Sequence, residues 1–235
     1  MKILAFDTST DACSVALGVD GECLTDHAIV PREHAQRLLP TVQRLLAEAQ
    51  LSPGQLDALV YGRGPGSFTG VRIAVSAAQG FAWGADIGTL GISTLASIAQ
   101  GCLREHGDGD VLAMLDARMG ELYLGRYTRG ADGLMALDGA ERAVAPNQAG
   151  IDELPPDAAL AGSGAEALGD VDPGRRILRA GQLPHARDLL ELAAPCVRDG
   201  RLQEPALAQP AYLRDKVALT EAERGVDSSP RPAGS

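Results

Sequence analysis

The sequence is short of aromatics, lysine and positive charge. Only 3% of its 235 residues are Phe, Trp or Tyr, while alanine and glycine are abundant. A core built from this chain must therefore close through small side chains rather than large rings. Lysine occurs only at Lys2 and Lys216, and neither follows a glycine, so a Gly-Lys-Ser/Thr phosphate loop is excluded. The net charge of −10 and pI of about 4.8 argue against the chain gripping a nucleic acid backbone alone. The four cysteines, Cys13, Cys23, Cys102 and Cys196, form no C-x-x-C pair. They read as reduced, mostly buried thiols of a cytoplasmic protein. His27, His34, His106 and His185 are equally scattered, and neither H-x-x-x-H nor H-E-x-x-H occurs. No G-x-S-x-G is present, no apolar run reaches membrane-spanning length, and the chain enters a predicted strand at once, with no signal peptide.

The densest signal lies between Tyr61 and Trp83. The apolar run Ala58-Leu59-Val60-Tyr61 reads as a strand, followed by Gly62-Arg63-Gly64-Pro65-Gly66-Ser67 and a long run of small residues. This is a strand, a glycine-rich turn and a helix start at Ser67 or Phe68. Gly64, Gly66 and Ser67 could bring backbone N–H groups and a helix N-terminus to a phosphate. The same residues also describe a plain tight turn. The helix they open carries Gly70, Ala74, Ala77, Ala78 and Gly80 at three- and four-residue spacing, which suits close packing inside a domain or against another subunit.

Around this stretch the pattern is regular. Lys2–Phe6 is predicted as a buried strand ending at the polar turn Asp7-Thr8-Ser9-Thr10-Asp11. Strands at Cys13–Val19 and Glu22–Val30 meet at Asp20-Gly21. A helix over 31–50 carries Leu38, Val42, Leu45 and Leu46 on one face, with Pro40 either kinking it or marking its start. A strand over Ile87–Ile92 precedes Ser93, which caps a helix running to about His106. Glu33 and His34 are adjacent, so on a helix they point apart and make no acid–base pair.

Beyond Gly107-Asp108-Gly109-Asp110 the pattern restarts. Leu112-Ala113-Met114-Leu115-Asp116 echoes Leu4-Ala5-Phe6-Asp7, with a turn over Ala117–Gly120 and a strand over Glu121–Thr128. The division is an N-terminal subdomain over 1–107, a C-terminal one over 108–219, and a disordered tail over 220–235. In the second part the signal thins to a short helix at Pro146, a strand at Ala158–Ala161 ended by Gly162-Ser163-Gly164, and a helix over Pro184–Arg198. Pro210-Ala211-Tyr212-Leu213-Arg214 reads as an ordered extended segment. Two α/β halves, each opening strand–Asp–turn–strand, suggest the actin-like ATPase architecture shared with sugar kinases and Hsp70, a duplicated fold of two mixed sheets with flanking helices.

Specific blocks carry a family resemblance: Phe6-Asp7-Thr8-Ser9-Thr10 with Ala12–Leu17, Arg32–Pro40, Tyr61–Arg72, Leu115–Glu121 and Pro210–Arg214. In this order they resemble the bacterial TsaB (YeaZ) family, from Met1 to about Val217. The resemblance implies a subunit of the machinery that makes threonylcarbamoyladenosine in tRNA, pairing with the catalytic paralogue TsaD and the ATPase TsaE, and forming a homodimer when alone. It implies contact with tRNA only through the complex, and no membrane. TsaD holds a metal through an H-x-x-x-H pair; the matching positions here are Thr94 and Ile98, neither suited to the task. No catalytic residue, metal ligand or cofactor of its own is therefore expected, although ATP or ADP at a subunit junction is consistent with the resemblance. Asp7, Thr8, Ser9, Gly64, Gly66 and Ser67 are the nucleotide- or phosphate-binding candidates. Leu38, Val42, Leu45, Leu46, Gly70, Ala74, Ala77 and Ala78 are the partner-interface candidates, on helices that the resemblance assigns to a bundle between subunits. Asp116 and Arg118 read as catalytic remnants or as hairpin structure. The competing readings are a nucleotide-binding scaffold, an active sugar-kinase-like phosphotransferase, or a protease-like regulator of the paralogue.

Overall fold

The computed structural model describes residues 1–169 and 177–214. The tail expected over 220–235 and the end of the second subdomain lie outside the described residues. The first sheet contains β1 (Lys2–Asp7), β2 (Ala12–Val19), β3 (Glu22–Ile29), β4 (Ala58–Gly62) and β5 (Thr89–Ile92), in the order β3-β2-β1-β4-β5. The second contains β6 (Asp110–Asp116), β7 (Leu122–Arg129), β8 (Met135–Val144), β9 (Ala159–Ala161) and β10 (Ile177–Arg179), in the order β8-β7-β6-β9-β10. In each sheet the first three strands are antiparallel and the remaining two join in parallel. The repeat glimpsed at Asp7 and Asp116 therefore extends over both whole sheets.

Local chemistry accounts for the elements. β1 and β4 are apolar without alternation because both their faces are covered. Helix α1 (His34–Glu48) continues through Pro40, so that proline neither ends nor starts it. Helix α2 (Phe68–Ala85) is capped by Ser67, and helix α3 (Thr94–His106) by the Ser93 hydroxyl, which accepts from the N–H groups of Leu95 and Ala96. Helix α4 (Ala186–Arg198) contains Pro195 near its end. Strands β8 and β10 carried no sequence signal. β8 is an edge strand whose pairing shifts register between Leu124 and Arg126, and most of it is exposed, so it has no apolar alternation to read. No helix among the described residues is long and apolar enough to cross a membrane.

Chain order and spatial grouping part at the third and fourth helices. Helix α3, placed by sequence with the first half, packs Leu95, Ile98, Ala99 and Cys102 on Val111, Ala113 and Leu115 of the second sheet. Helix α4, placed with the second half, packs Ala186, Leu189, Leu190 and Ala193 on Ile3, Ala5, Ala16 and Val60 of the first. Each half thus lends its last helix to the other's sheet. The two helices meet along a polar seam. Arg104 donates from Nε and Nη2 to the two carboxylate oxygens of Asp188 at 2.6 and 3.1 Å, and Gln100 donates to Glu191 at 3.0 Å. The Asp188 side chain is fully buried. Burial pushes its carboxyl up to about 6 against the pull of Arg104.

Removing one partner of this buried pair strands the other's charge. Arg104→Ala is expected to lower unfolding stability by about 3–5 kcal/mol in urea titration, and the double replacement Arg104→Met with Asp188→Leu to cost less than Arg104→Ala alone. Because the folded Asp188 carboxyl titrates near 6 rather than at the ordinary 3.8, its bound proton favours the fold at low pH, and that contribution is lost as pH rises through about 6. Asp188→Asn should flatten that part of the stability–pH curve, measured from pH 4 to 7.

Candidate functional site

The turn after β1 is the first place to look for chemistry. Asp7, Thr8 and Ser9 are 0%, 0% and 1% exposed. The Ser9 N–H donates to Asp7 Oδ1 at 2.6 Å, and the Thr94 hydroxyl lies 3.0 Å from both Asp7 Oδ2 and Ser9 Oγ. Burial raises the Asp7 carboxyl above its ordinary range, and the Ser9 and Thr94 hydrogen bonds pull it partly back. Ile98, at the other position matched to a metal-binding histidine, is fully buried in the second core.

The glycine-rich turn closes over this site. The Ser67 N–H donates to Ser9 O at 2.7 Å, and the Thr8 hydroxyl donates to Gly70 O at 2.7 Å. A Cβ on Gly62 would fall 1.8 Å from Asp7 Oδ2, one on Gly66 would fall 2.4 Å from Ser9 O, and one on Gly70 2.0 Å from Thr8 O. Gly66 and Gly70 are required because their backbone touches that of Ser9 and Thr8, and Gly62 because the Asp7 carboxylate lies against it. The phosphate-binding candidates lie within this contact. Asp7, Thr8, Ser9 and Gly64 lie under the surface, Gly66 is half-buried, and Ser67 alone of the six candidates is exposed. A phosphate would have to displace bonds the chain makes with itself.

The second half repeats the motif in open form. The Arg118 N–H donates to Asp116 Oδ1 at 2.7 Å, matching the Ser9–Asp7 bond. A Cβ on Gly162 would lie 2.1 Å from Met114 O, so Gly162-Ser163-Gly164 rests on β6 as the Gly62–Gly66 turn rests on β1. Asp116 here is exposed and pairs at the surface with Arg118 at 3.4 Å. The extended segment expected at 210–214 ties the two turns together. Ala211 N–H donates to Arg63 O at 2.7 Å, and Arg214 reaches the Glu121 carboxylate and the carbonyl of Ala117 at 3.2 Å. Upstream, the Tyr61 hydroxyl accepts from Gln209 N and Gln203 Nε2 at 3.0 and 3.1 Å. Arg214 and Tyr61 fall within the blocks that carry the resemblance but not among the site candidates; a tyrosine ending an apolar strand is the one hint, since a buried hydroxyl needs partners.

The partner-interface candidates lie on the inward sides of their helices. Leu38, Val42, Leu45, Leu46, Gly70, Ala74 and Ala78 are buried, and Ala77 is partly buried against the same first core. Helical spacing marks a packing face, and here that face turns inward to the sheet. The outward faces of these helices are different. On α2 they hold Phe68, Arg72, Ser76, Gly80 and Trp83, with Trp83 73% exposed, and on α1 they include Leu39 at 45%. His34 is buried at the start of α1, and the Glu33 side chain makes no cap hydrogen bond there.

Two glycines of one helix separate these roles. Gly70→Ala should destabilise the protein by about 2 kcal/mol or more through overpacking, whereas Gly80→Ala, whose Cβ would meet nothing within 4 Å, should stabilise it by about 0.5–1 kcal/mol through helix propensity. Thermal unfolding of both variants checks the contrast.

Known proteins are similar to this chain in both sequence and fold. The model of the family described as TsaD, tRNA N6-adenosine threonylcarbamoyltransferase, matches residues 27–222. The tRNA threonylcarbamoyladenosine biosynthesis protein TsaB of Escherichia coli (strain K12) is 42% identical over 93% of this chain and 96% of its own length. Its namesake in Haemophilus influenzae is 37% identical over 92% and 95%. A solved structure of YeaZ from Pseudomonas aeruginosa superposes with a TM-score of 0.85 at 43% identity, covering 90% of this chain and 99% of that one. The two mixed-sheet halves are of the actin-like ATPase type, and the chain belongs to the TsaB (YeaZ) family of tRNA threonylcarbamoyladenosine biosynthesis proteins.

Proposed function

We propose that this chain is a non-catalytic subunit that pairs with the catalytic paralogue TsaD, together with the ATPase TsaE. In that assembly the threonylcarbamoyl group passes from threonylcarbamoyl-AMP to the adenosine beside the anticodon of tRNAs that read codons starting with A. The observation that carries the reading is the closed turn. Asp7 is fully buried with both carboxylate oxygens engaged by Ser9 and Thr94. Thr94 stands where the resemblance places a metal-binding histidine of the paralogue. A turn whose polar groups are satisfied within the chain has little to offer a substrate. Any ATP or ADP is better placed at a junction with a partner subunit than beneath Gly64–Ser67.

Function then falls to the surface. The outward face of α2 is small and apolar around Ser76, Gly80 and Trp83, and Leu39 of α1 is exposed as well. Small residues let a second helix approach closely, and a large aromatic rim supplies contact area. We place the paralogue on this face, and a second copy of the chain on it when the paralogue is absent. The work is done in the cytoplasm, where the tRNA is.

The test is tRNA threonylcarbamoylation reconstituted from the donor-making enzyme, TsaD, TsaE and this chain, omitting each in turn. Transfer is expected only when this chain and TsaD are both present. Transfer by this chain without TsaD would overturn the reading. In the same preparation, Gly80→Arg is expected to abolish co-elution with TsaD while leaving the melting temperature of the isolated chain unchanged. Retention of the complex would move the interface elsewhere.

A further inference from the structure

One stretch of the surface carries exposed arginines and no acidic residue of its own. The chain has a net charge of −10, yet neither Asp nor Glu occurs from Ala58 to Ala85, nor from Pro205 to Arg214 in the strap that lies against that stretch. Arg63 and Arg72 are both exposed there, and neither has an ion-pair partner among the described residues. Glu121, which the end of this segment reaches, is paired with Arg214.

The stretch also holds aromatic rings, which this chain otherwise uses sparingly. The Arg72 guanidinium lies over the Phe68 ring at 3.3 Å from its centroid and 5.7 Å from that of Tyr212. Both rings are 56% exposed. Stacking on Phe68 holds the guanidinium in place while leaving its N–H edge open to acceptors. Exposed rings held beside unpaired arginines are the elements with which proteins take hold of single-stranded nucleic acid: bases stack on the rings and phosphates meet the cations. Packing against a protein helix would not call for two arginines that have no ion-pair partner among the described residues, whereas Ser76, Gly80 and Trp83, further along α2, lack this charge.

We propose that Phe68, Arg72 and Tyr212 form a platform for unpaired RNA bases, with Arg63 and Arg72 meeting the adjoining phosphates, so that this chain itself touches the anticodon loop of the tRNA. The inference rests on the function proposed above and departs from the expectation that tRNA is met only through the partner. It gives the acidic chain a local contact of opposite sign rather than a general affinity for nucleic acid.

The experiment measures binding of a labelled anticodon stem-loop RNA to the reconstituted complex, alongside KM and kcat for tRNA in the transfer assay. Arg72→Ala and Tyr212→Ala are each expected to weaken RNA binding and raise KM by about tenfold, with kcat and affinity for TsaD unchanged. Arg72→Ala should also reduce the slope of log affinity against log salt by about 0.7, as for one lost phosphate contact on a single strand. Arg72→Lys, which keeps the charge but not the planar stack, should restore the salt slope and only part of the affinity. Unchanged RNA binding in both alanine variants would overturn the platform. So would a loss of TsaD affinity that accounts for the whole effect, which would make the patch a protein contact. Should the wild-type chain prove unnecessary for transfer, the proposed function fails, and RNA binding by the wild type and Arg72→Ala proteins still decides the platform.

Discussion

The fold depends on a close approach between two stretches of backbone. Gly62, Gly66 and Gly70 lie so near Asp7, Thr8 and Ser9 that no side chain fits between them. Short hydrogen bonds then fasten the two turns, from Ser67 N–H to Ser9 O and from Thr8 Oγ1 to Gly70 O. This contact fastens the start of α2 to the turn after β1. It also buries Asp7, whose ionised form loses solvation there, and makes Thr94 the partner that links the turn to the start of α3. The motif that reads as a phosphate cradle also clasps the two turns together.

The second organising feature is the exchange of helices. Because α3 covers the second sheet and α4 the first, the two halves cannot separate without exposing both cores. The Arg104–Asp188 pair sits on the seam between the exchanged helices, where a low-dielectric setting makes its geometry matter more than on the surface. The strap from Gln203 to Arg214 adds a further tie. It bonds to β5, to Tyr61, to the glycine-rich turn and to the Ala117–Glu121 turn in succession. The two Asp-bearing turns are thus held at fixed separation, one closed and one open. That asymmetry suits a protein whose working groups lie on its surface.

The surface itself divides by chemistry. Along α2 the outward residues pass from aromatic and cationic at Phe68 and Arg72 to small at Ser76 and Gly80, and then to Trp83. Trp83 at its end is 73% exposed. The proposed contacts with a paralogous subunit and with RNA divide this single face between them.

The sequence by itself determined the elements and the repeat. The apolar runs at Ile3–Phe6 and Leu112–Leu115, the Ser67 and Ser93 caps and the two strand–Asp–turn–strand openings are local signals, and local signals survive without a partner in view. The blocks from Phe6 to Arg214 also determined the family. What only the tertiary structure decided was which side each face would turn. The spacing of Leu38, Val42, Leu45 and Leu46 is the same for a core face and an interface, and packing against the first sheet made it core. Glycines in a strand–helix turn serve a ligand or a neighbouring piece of chain equally well; the 2.4 Å between a Gly66 Cβ and Ser9 O reveals the neighbour, which the sequence does not. The exchange of α3 and α4 left no trace in the sequence, because an amphipathic stripe records that a helix is covered and not by which sheet. The Phe68–Arg72–Tyr212 stack joins residues far apart in the chain, and only the path of the strap brings them together.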